Sequence, residues 1–405
     1  MDRLRSNRGA VLVHVTLALL SFTAVSALVI DYGIQLVSRH QIQTAADAAA
    51  LAGATALAFD SYADRSDTGP AKTAALAMAT ENKVWQQAAN VTAGDISFPV
   101  CADSFDAGPS ATPILACVKV DAFRNQDRGN PLPSFFGQLF GVTSSSVSAS
   151  ATAEAKDANA TDCLKPLAVP DRWIERNPVS GPWTSGSTFD KWDPANPAVL
   201  LSPPDSYTAP TGLSSGSGLK ITVDFGVQVV LSQGATATPV SHIKPWNYLT
   251  VQIPDSAFGG DVAANITGCA KSSIGVGDRL NLVAGNAGVV ATALRDLFNR
   301  DPGAHWNTET NHVDGSCADA PARCASMSPR IIALPVYHPG DLADNSRAGA
   351  TSIKVSNIVG FFIESVDVVN ATATGRVTRH PGLIRPTATT LIDASSFLRA
   401  SLLVQ

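Results

Sequence analysis

The sequence predicts an α+β protein, and three observations carry that prediction. A basic start leads into the 21-residue apolar run Ala10–Ile30, which passes directly into an Ala-rich helical segment reaching about Ala58. A second helix pattern and three strand patterns follow before residue 156. Beyond it, short Val/Ile-rich alternating segments are separated by stretches rich in Pro, Gly, Ser and Asn. The predicted organisation is therefore a short N-terminus (1–9), a transmembrane helix (10–30), a helical stem (31–60), a small α+β head (61–156) and a larger β-rich exported domain (157–405).

The apolar run contains no Asp, Glu, Lys or Arg. Its 21 residues span about 32 Å as a helix, enough to cross a bilayer core. Arg3, Arg5 and Arg8 against the single acid Asp2 favour a cytoplasmic N-terminus with everything C-terminal exported, as for a single-pass bacterial inner-membrane protein. A cleaved signal ending at Val25-Ser26-Ala27 is the competing reading. It is disfavoured because the run continues through Leu28-Val29-Ile30 and helical character persists beyond Asp31. His14, one turn inside the span, can stay neutral or reach the headgroups. Further along, Ala45, Ala49, Ala52 and Ala56 recur at helical spacing and form a flat face. Such a face admits close approach of another helix, either a partner's or one from the same chain.

The runs Arg8–Val15, Val29-Ile30-Asp31-Tyr32-Gly33 and Ser38–Ala54, with Ala45-Ala46-Asp47-Ala48-Ala49-Ala50-Leu51-Ala52-Gly53 at their centre, resemble the N-terminal segment of TadE/TadG-like proteins. Those proteins belong to tight-adherence (Flp-type) pilus assembly systems. The resemblance implies a membrane anchor, an exported pilin-like head and partners among other pilus-assembly or pilin-like proteins, and it implies no catalysis. The fifth residue after Gly9 is His14, where prepilins carry Glu. The Asp-x-Ser-x-Ser metal motif of TadG relatives with a von Willebrand A-type domain is also missing, its nearest approach being Asp393–Phe397.

In the head, Ser61–Gly69 reads as a turn. Pro70 then opens a second helix over Ala71–Ala89, with Ala74, Ala75, Met78, Val84 and Trp85 on its buried face. Strands are predicted at Asp95–Val100, Ile114–Phe123 and Val142–Ala155, the last two separated by the apolar turn Pro133–Phe140. Residues 95–156, through Gly129–Phe136, resemble the continuation found in TadG-like relatives without the metal-binding domain.

All six cysteines, at 101, 117, 163, 269, 317 and 324, lie beyond the apolar run. In an oxidising compartment an even number reads as disulfides. Cys101/Cys117 and Cys317/Cys324 are spaced to staple single loops, which leaves Cys163 and Cys269 for each other. The alternative is a metal site from His305, His312, Cys317 and Cys324, although the spacing lacks a Cys-x-x-Cys knuckle.

Asp157–Asp162 forms a polar boundary, and residues 176–219 read as one long loop. Strands are predicted at Leu219–Leu231, Tyr248–Ile253, Arg330–Tyr337, Thr351–Ile363 and Val366–Arg379, with another near the C-terminus. Ala287–Phe298 is the one clear helix of this region.

A net charge of −5 with 16% charged residues and no Lys/Arg stripe argues against nucleic-acid binding. Gly212-Leu213-Ser214-Ser215-Gly216 fits Gly-x-Ser-x-Gly, but a nucleophile elbow needs a strand before the Ser and a helix after it. No catalytic constellation or cofactor motif can be assembled, so no enzyme and no cofactor are expected. Trp173, Trp183 and Trp192 lie in Pro-rich sequence. They are candidates to stack on a glycan or another surface, which gives the alternative of a tethered adhesin, or else to pin their loop onto the domain.

Overall fold

The computed structural model describes residues 8–59, 65–101, 117–177, 180–193, 195–196, 198–209, 216–234, 243–316, 327–346, 352–388 and 396–404. Cys317, Cys324, Gly212–Ser215, Asp393–Ser395 and residues 61–64 of the expected turn lie outside them. The fold is α+β, in two compact units. One comprises residues 1–155 with 401–405, the other residues 156–400.

In the first unit, helix α1 (Arg8–Phe59) is unbroken over 52 residues, about 78 Å of rod. Helix α2 (Pro70–Glu81) starts with Pro at its first turn, where the missing N–H costs nothing. It stops eight residues short of the expected Ala89. The Asn82 side chain bonds Met78 O at 2.8 Å, and the chain then reverses in the hairpin β1 (Lys83–Val84) and β2 (Gln87–Ala88). Trp85 and Gln86 form its tip with φ of 48° and 66°. The Trp85 N–H is anchored on the Gln41 side chain of α1 at 2.8 Å. Val84 is buried as expected, but from a hairpin rather than a helix.

Strand β3 (Ile96–Ser97) is shorter than expected. A 3₁₀ turn over Ala93–Asp95 precedes it, closed by the Asp95 carboxylate on Thr92 N and Oγ1. Strand β4 (Cys117–Arg124) follows. The single strand expected over 142–155 is two elements. Strand β5 (Leu132–Pro133) pairs with β6 (Ser144–Ser145), while β7 (Val147–Asp157) runs antiparallel to β4. Alternate residues of β4 (Val118, Val120, Ala122) meet the alanines of α1 and α2 in one core. Cys101 and Cys117 are disulfide-bonded.

The second unit contains β8 (Ala160–Thr161), β9 (Leu167–Pro170), α3 (Ile221–Asp224), β10 (Gln228–Gln233), β11 (Asn247–Thr250), α4 (Val262–Thr267), β12 (Ile274–Gly275), β13 (Arg279–Asn281) and α5 (Ala287–Arg300). Then come β14 (His305–Asn307), β15 (His312–Asp314), β16 (Ile331–Tyr337), α6 (Pro339–Ser346), β17 (Ser352–Asp367), β18 (Thr372–Thr378), β19 (His380–Pro381) and the first residues of β20 (Leu398–Val404), whose last four belong to the first unit. Six strands close into a mixed barrel in the order β17-β16-β9-β11-β10-β18, with β18 returning to β17 and β13 added outside.

Of the two strands expected over 351–379, the second starts later, as β18, and the first runs past Ile363 to Asp367 as β17, on which closure rests. Its first half pairs with β16 and its second with β18, and a register shift at Ile363/Ser365 bends it without ending it. Glycines permit the tight approach. A Cβ on Gly375 would lie 2.1 Å from Phe362 O, and one on Gly360 would lie 2.6 Å from Thr378 O.

Strand residues alternate between two buried clusters. Leu167, Val169, Tyr248, Leu334, Val336, Val359 and Phe361 join Val290, Leu294 and Leu297 of α5. Ala168, Leu249, Ala333, Tyr337 and Ile358 join the second cluster. Strands buried on both faces account for the uninterrupted apolar runs of β9 and β16. Leu219–Leu231 is not one strand. The Asp224 carboxylate accepts Lys220 N at 2.8 Å and holds the helical turn α3, and Gly226 at φ 77° turns the chain into β10. Cys163 and Cys269 are disulfide-bonded within this unit.

Candidate functional site

The N-terminal part of α1 is presented, not packed. Every residue from Val11 to Ile30 is exposed except Ala27, at 3%. From Ala27 onward a buried stripe climbs one side of the helix through Ser38, Ile42, Ala45, Ala46, Ala49, Ala50, Ala54 and Leu57. That spacing is the 3.6-residue period of a helix lying against the head. Of the four alanines expected as a stem packing face, Ala45, Ala49 and Ala56 are buried and Ala52 is half-buried. Ala45 and Ala49 pack in the head's own core with Ala71, Ala75 and Ala79 of α2. Small side chains on both helices allow the backbones to approach. At Gly53 a Cβ would meet Val118 Cγ1 at 2.8 Å and Ala71 O at 3.2 Å. Ala45 and Ala49 of the flat face therefore serve the chain's own fold, and the longest continuously exposed apolar part of α1 is Val11–Ile30, broken only at Ala27.

Asp31, the first charged residue after the apolar run, grips the loop between β5 and β6. Its carboxylate accepts Ser134 Oγ at 2.7 Å and the N–H groups of Phe135, Phe136 and Gly137 at 3.0, 3.1 and 2.7 Å. Gly137 is required there, since a Cβ would lie 2.2 Å from Ser134 Oγ. The loop is supported from behind by Arg124. This buried guanidinium donates to Asn130 O at 2.6 Å, to Pro131 O at 3.0 Å and to Val84 O, tying the β1–β2 hairpin to the approach of the loop. Burial holds its pKa below the usual arginine range. Phe135 meets Trp85 edge-to-face at 6.4 Å between ring centres. In the sequence Asp31 stands out only as part of the motif Val29-Ile30-Asp31-Tyr32-Gly33. Nothing local announced that a loop a hundred residues later would bind it.

In the second unit the three candidate recognition tryptophans are anchors. Trp173 is buried, with Trp183 and Phe189 edge-to-face against it, both at 5.6 Å. Trp183 reaches Trp246 at 6.5 Å, and Arg172 lies over the Trp183 ring at 5.6 Å. Trp192 packs on the same core and donates Nε1–H to Asp344 at 3.0 Å. The long loop is thus held down by its aromatics, because aromatic area is stabilising when packed rather than displayed.

Buried carboxylates hold the same loop. Asp171 accepts Leu219 N and Tyr207 OH, both at 2.7 Å, and burial pushes its carboxyl up to about 6. Glu175, Asp190 and Asp205 bring carboxylate oxygens within 4.8 Å of one another. Asp205 already accepts the N–H groups of Arg176, Asn177 and Asp190 at 2.6, 3.0 and 2.6 Å, the arrangement of a loop staple. Burial, with the charges of Asp205 and Glu175, raises Asp190 to about 6. Beside the Cys163–Cys269 bond, Lys165 donates to Gly268 O at 2.5 Å, and burial lowers it to about 8. In the alternative metal set, His305 and His312 sit on paired strands, and His312 Nε2 contacts Asp314 at 2.7 Å. Its two cysteines lie outside the described residues.

Two family matches fall within the first unit. Residues 9–56 match the family described as putative Flp pilus-assembly TadE/G-like, and residues 43–153 match the one described as putative Tad-like Flp pilus-assembly. No curated protein and no solved structure matches the chain.

Proposed function

We propose a non-enzymatic, membrane-anchored protein that assembles or decorates a Flp-type pilus, from the premise that residues 9–56 are similar to the TadE/G-like and residues 43–153 to the Tad-like Flp pilus-assembly family. The observation that carries this reading is the exposed apolar band Val11–Ile30, joined without a break to a stem whose other half is packed under the head. An exposed band of that length is at home in lipid or against other apolar helices, and nowhere else in an aqueous cell.

The arginines before the band favour a cytoplasmic N-terminus, with the head and the barrel unit exported across a bacterial inner membrane. The two disulfides are compatible with an oxidising compartment. Partners would meet the chain along Val11–Ile30 and over the outer surface of its exported units. The adhesin reading has against it that Trp173 is buried and that Trp183 and Trp192 are half-buried against the same core.

The test is a deletion strain complemented with the full chain, with pili sheared from the cells and both fractions probed. The expected result is loss of pili without the protein, restoration with it, and an unprocessed N-terminus in the membrane fraction. Normal piliation of the deletion strain would overturn the reading. Recovery of a form beginning at Ala10 in sheared filaments would instead make the chain a processed filament subunit.

A further inference from the structure

The geometry points to a second membrane contact, made by the β5–β6 loop of the head: Phe135 and Val142 dip into the bilayer interface beside the helix. This rests on reading residues 10–30 as the span, and the occupant is the lipid surface of the membrane that α1 crosses.

Three observations place the loop there. The buried stripe on α1 does not stop at Asp31: Ala27, inside the apolar run, lies on the same helical face and is only 3% exposed. Ala27 lies about 5 Å below Ile30 along the helix, so any part of the head lying over it is already at the depth of the interface. Next, the loop held by Asp31 displays apolar surface: Phe135 and Val142 are each 53% exposed. Aromatic and aliphatic side chains at the headgroup level are what an interfacial anchor presents.

The third observation concerns the backbone. A loop can enter a poorly hydrated region only if its polar groups are satisfied within the protein. Here the N–H groups of Phe135, Phe136 and Gly137 go to the Asp31 carboxylate. Those of Ser134, Gly141 and Val142 go to Thr143 O, Gln138 O and Gly137 O. With one contact through the helix and another through the loop, the head is fixed in orientation and does not swivel on a single stalk.

The test places a benzophenone amino acid at Phe135, Val142, Val25 or Val100 of the full chain, reconstituted in vesicles of phosphatidylethanolamine and phosphatidylglycerol. After irradiation, peptide masses report lipid adducts. Val100 is the matched control, 54% exposed but beside Cys101 at the opposite end of β4 from the loop. Val25 reports the span itself. The expected result is lipid adducts at positions 25, 135 and 142 and none at 100. Adducts at 25 but not at 135 and 142, or adducts at 135 and 142 to protein instead of lipid, would overturn the loop contact and leave the span standing. No adduct at 25 would overturn both. Two loop positions are used because substitution at either one alone risks local misfolding, and thermal unfolding of each variant checks that it folds.

Discussion

Arg330 shows a buried charge whose hydrogen bonds go to backbone carbonyls. It lies between the rings of Phe298 and Phe362, 4.2 and 4.8 Å from their centres. It donates to the carbonyls of Ile363, Asp301, Ala304 and Glu364 at 2.8, 2.9, 2.6 and 3.3 Å. Those oxygens belong to β17, to the end of α5 and to the turn after it, and one side chain serves all four, the Asp301 carbonyl also accepting Ala304 N at 3.4 Å. Arg330→Met keeps the volume between the rings and takes these bonds from the carbonyls. Urea unfolding is expected to show a loss of about 3 kcal/mol or more, since each unsatisfied buried acceptor costs about 1–3 kcal/mol.

His380 is the opposite case, a buried group kept neutral. Burial, helped by the nearby charge of Lys165, lowers its pKa from 6.5 to about 4. Between those values the unfolded chain holds a proton that the folded chain refuses. Stability therefore rises with pH across that window, and the contribution is lost as pH falls from 6.5 to 4. Asp171 acts in the other direction, since its raised carboxyl keeps its proton longer in the folded state and stability falls as pH climbs from 3.8 to about 6. His380→Gln is expected to flatten the acid side of the melting profile by up to about 3 kcal/mol. An unchanged slope between pH 4 and 6.5 would mean that His380 is accessible to protons in the fold.

Among the elements, β17 and β18 decide whether the second unit closes. Gly375 faces Phe362 O and the Phe361 ring at distances no Cβ can occupy. Gly375→Ala is expected to cost more than Gly53→Ala, where the nearest neighbour is a side-chain tip that can move. The difference, about 1–3 kcal/mol, should appear in denaturation midpoints. Here the sequence also falls short as a guide. Helices α1 and α5 are legible because their periodicity and caps are local. The apolar run Ile331–Tyr337 is legible because both its faces are buried.

Closure is not local. Nothing between residues 351 and 379 says that the first strand bends at Ile363/Ser365 and runs on to Asp367 before the second begins. The hairpin after α2 hid for a related reason. Val84 and Trp85 continue the helical spacing of Ala74, Ala75 and Met78, and the positive φ at Trp85 and Gln86 falls on residues that seldom adopt it. At the candidate site, the exposed apolar band was readable from composition. The loop that Asp31 holds was visible only as an apolar turn without a place. The alanine face and the tryptophans are legible as residues, while their burial, complete at Ala45, Ala49 and Trp173 and partial at Ala52, Trp183 and Trp192, depends on elements distant in sequence.

For the molecule as a whole, two units with separate cores imply separate thermal transitions. Gly53 belongs to the core of α1, α2 and β4, and Arg330 to the barrel unit. Calorimetry of the full chain in detergent is expected to resolve two transitions. Gly53→Leu should lower only one of them, by overpacking worth about 1–3 kcal/mol. Arg330→Met should lower only the other. A single transition moved by both substitutions would show that the units unfold as one.

The unbroken length of α1 adds a mechanical consequence. A rod without a hinge turns rotation at one end into travel at the other. Spanning helices accommodate a thinner or thicker bilayer by tilting, commonly by about 20°. The portion of α1 from Asp31 to Phe59 extends about 42 Å, so such a tilt carries its upper end sideways by about 14 Å. The loop at Phe135 lies on one flank only. Leaning toward that flank presses it deeper into the headgroups, while leaning away lifts it toward water. The anchor thus has a preferred direction of lean, and a change in membrane thickness becomes a directed sweep of the stem's far end.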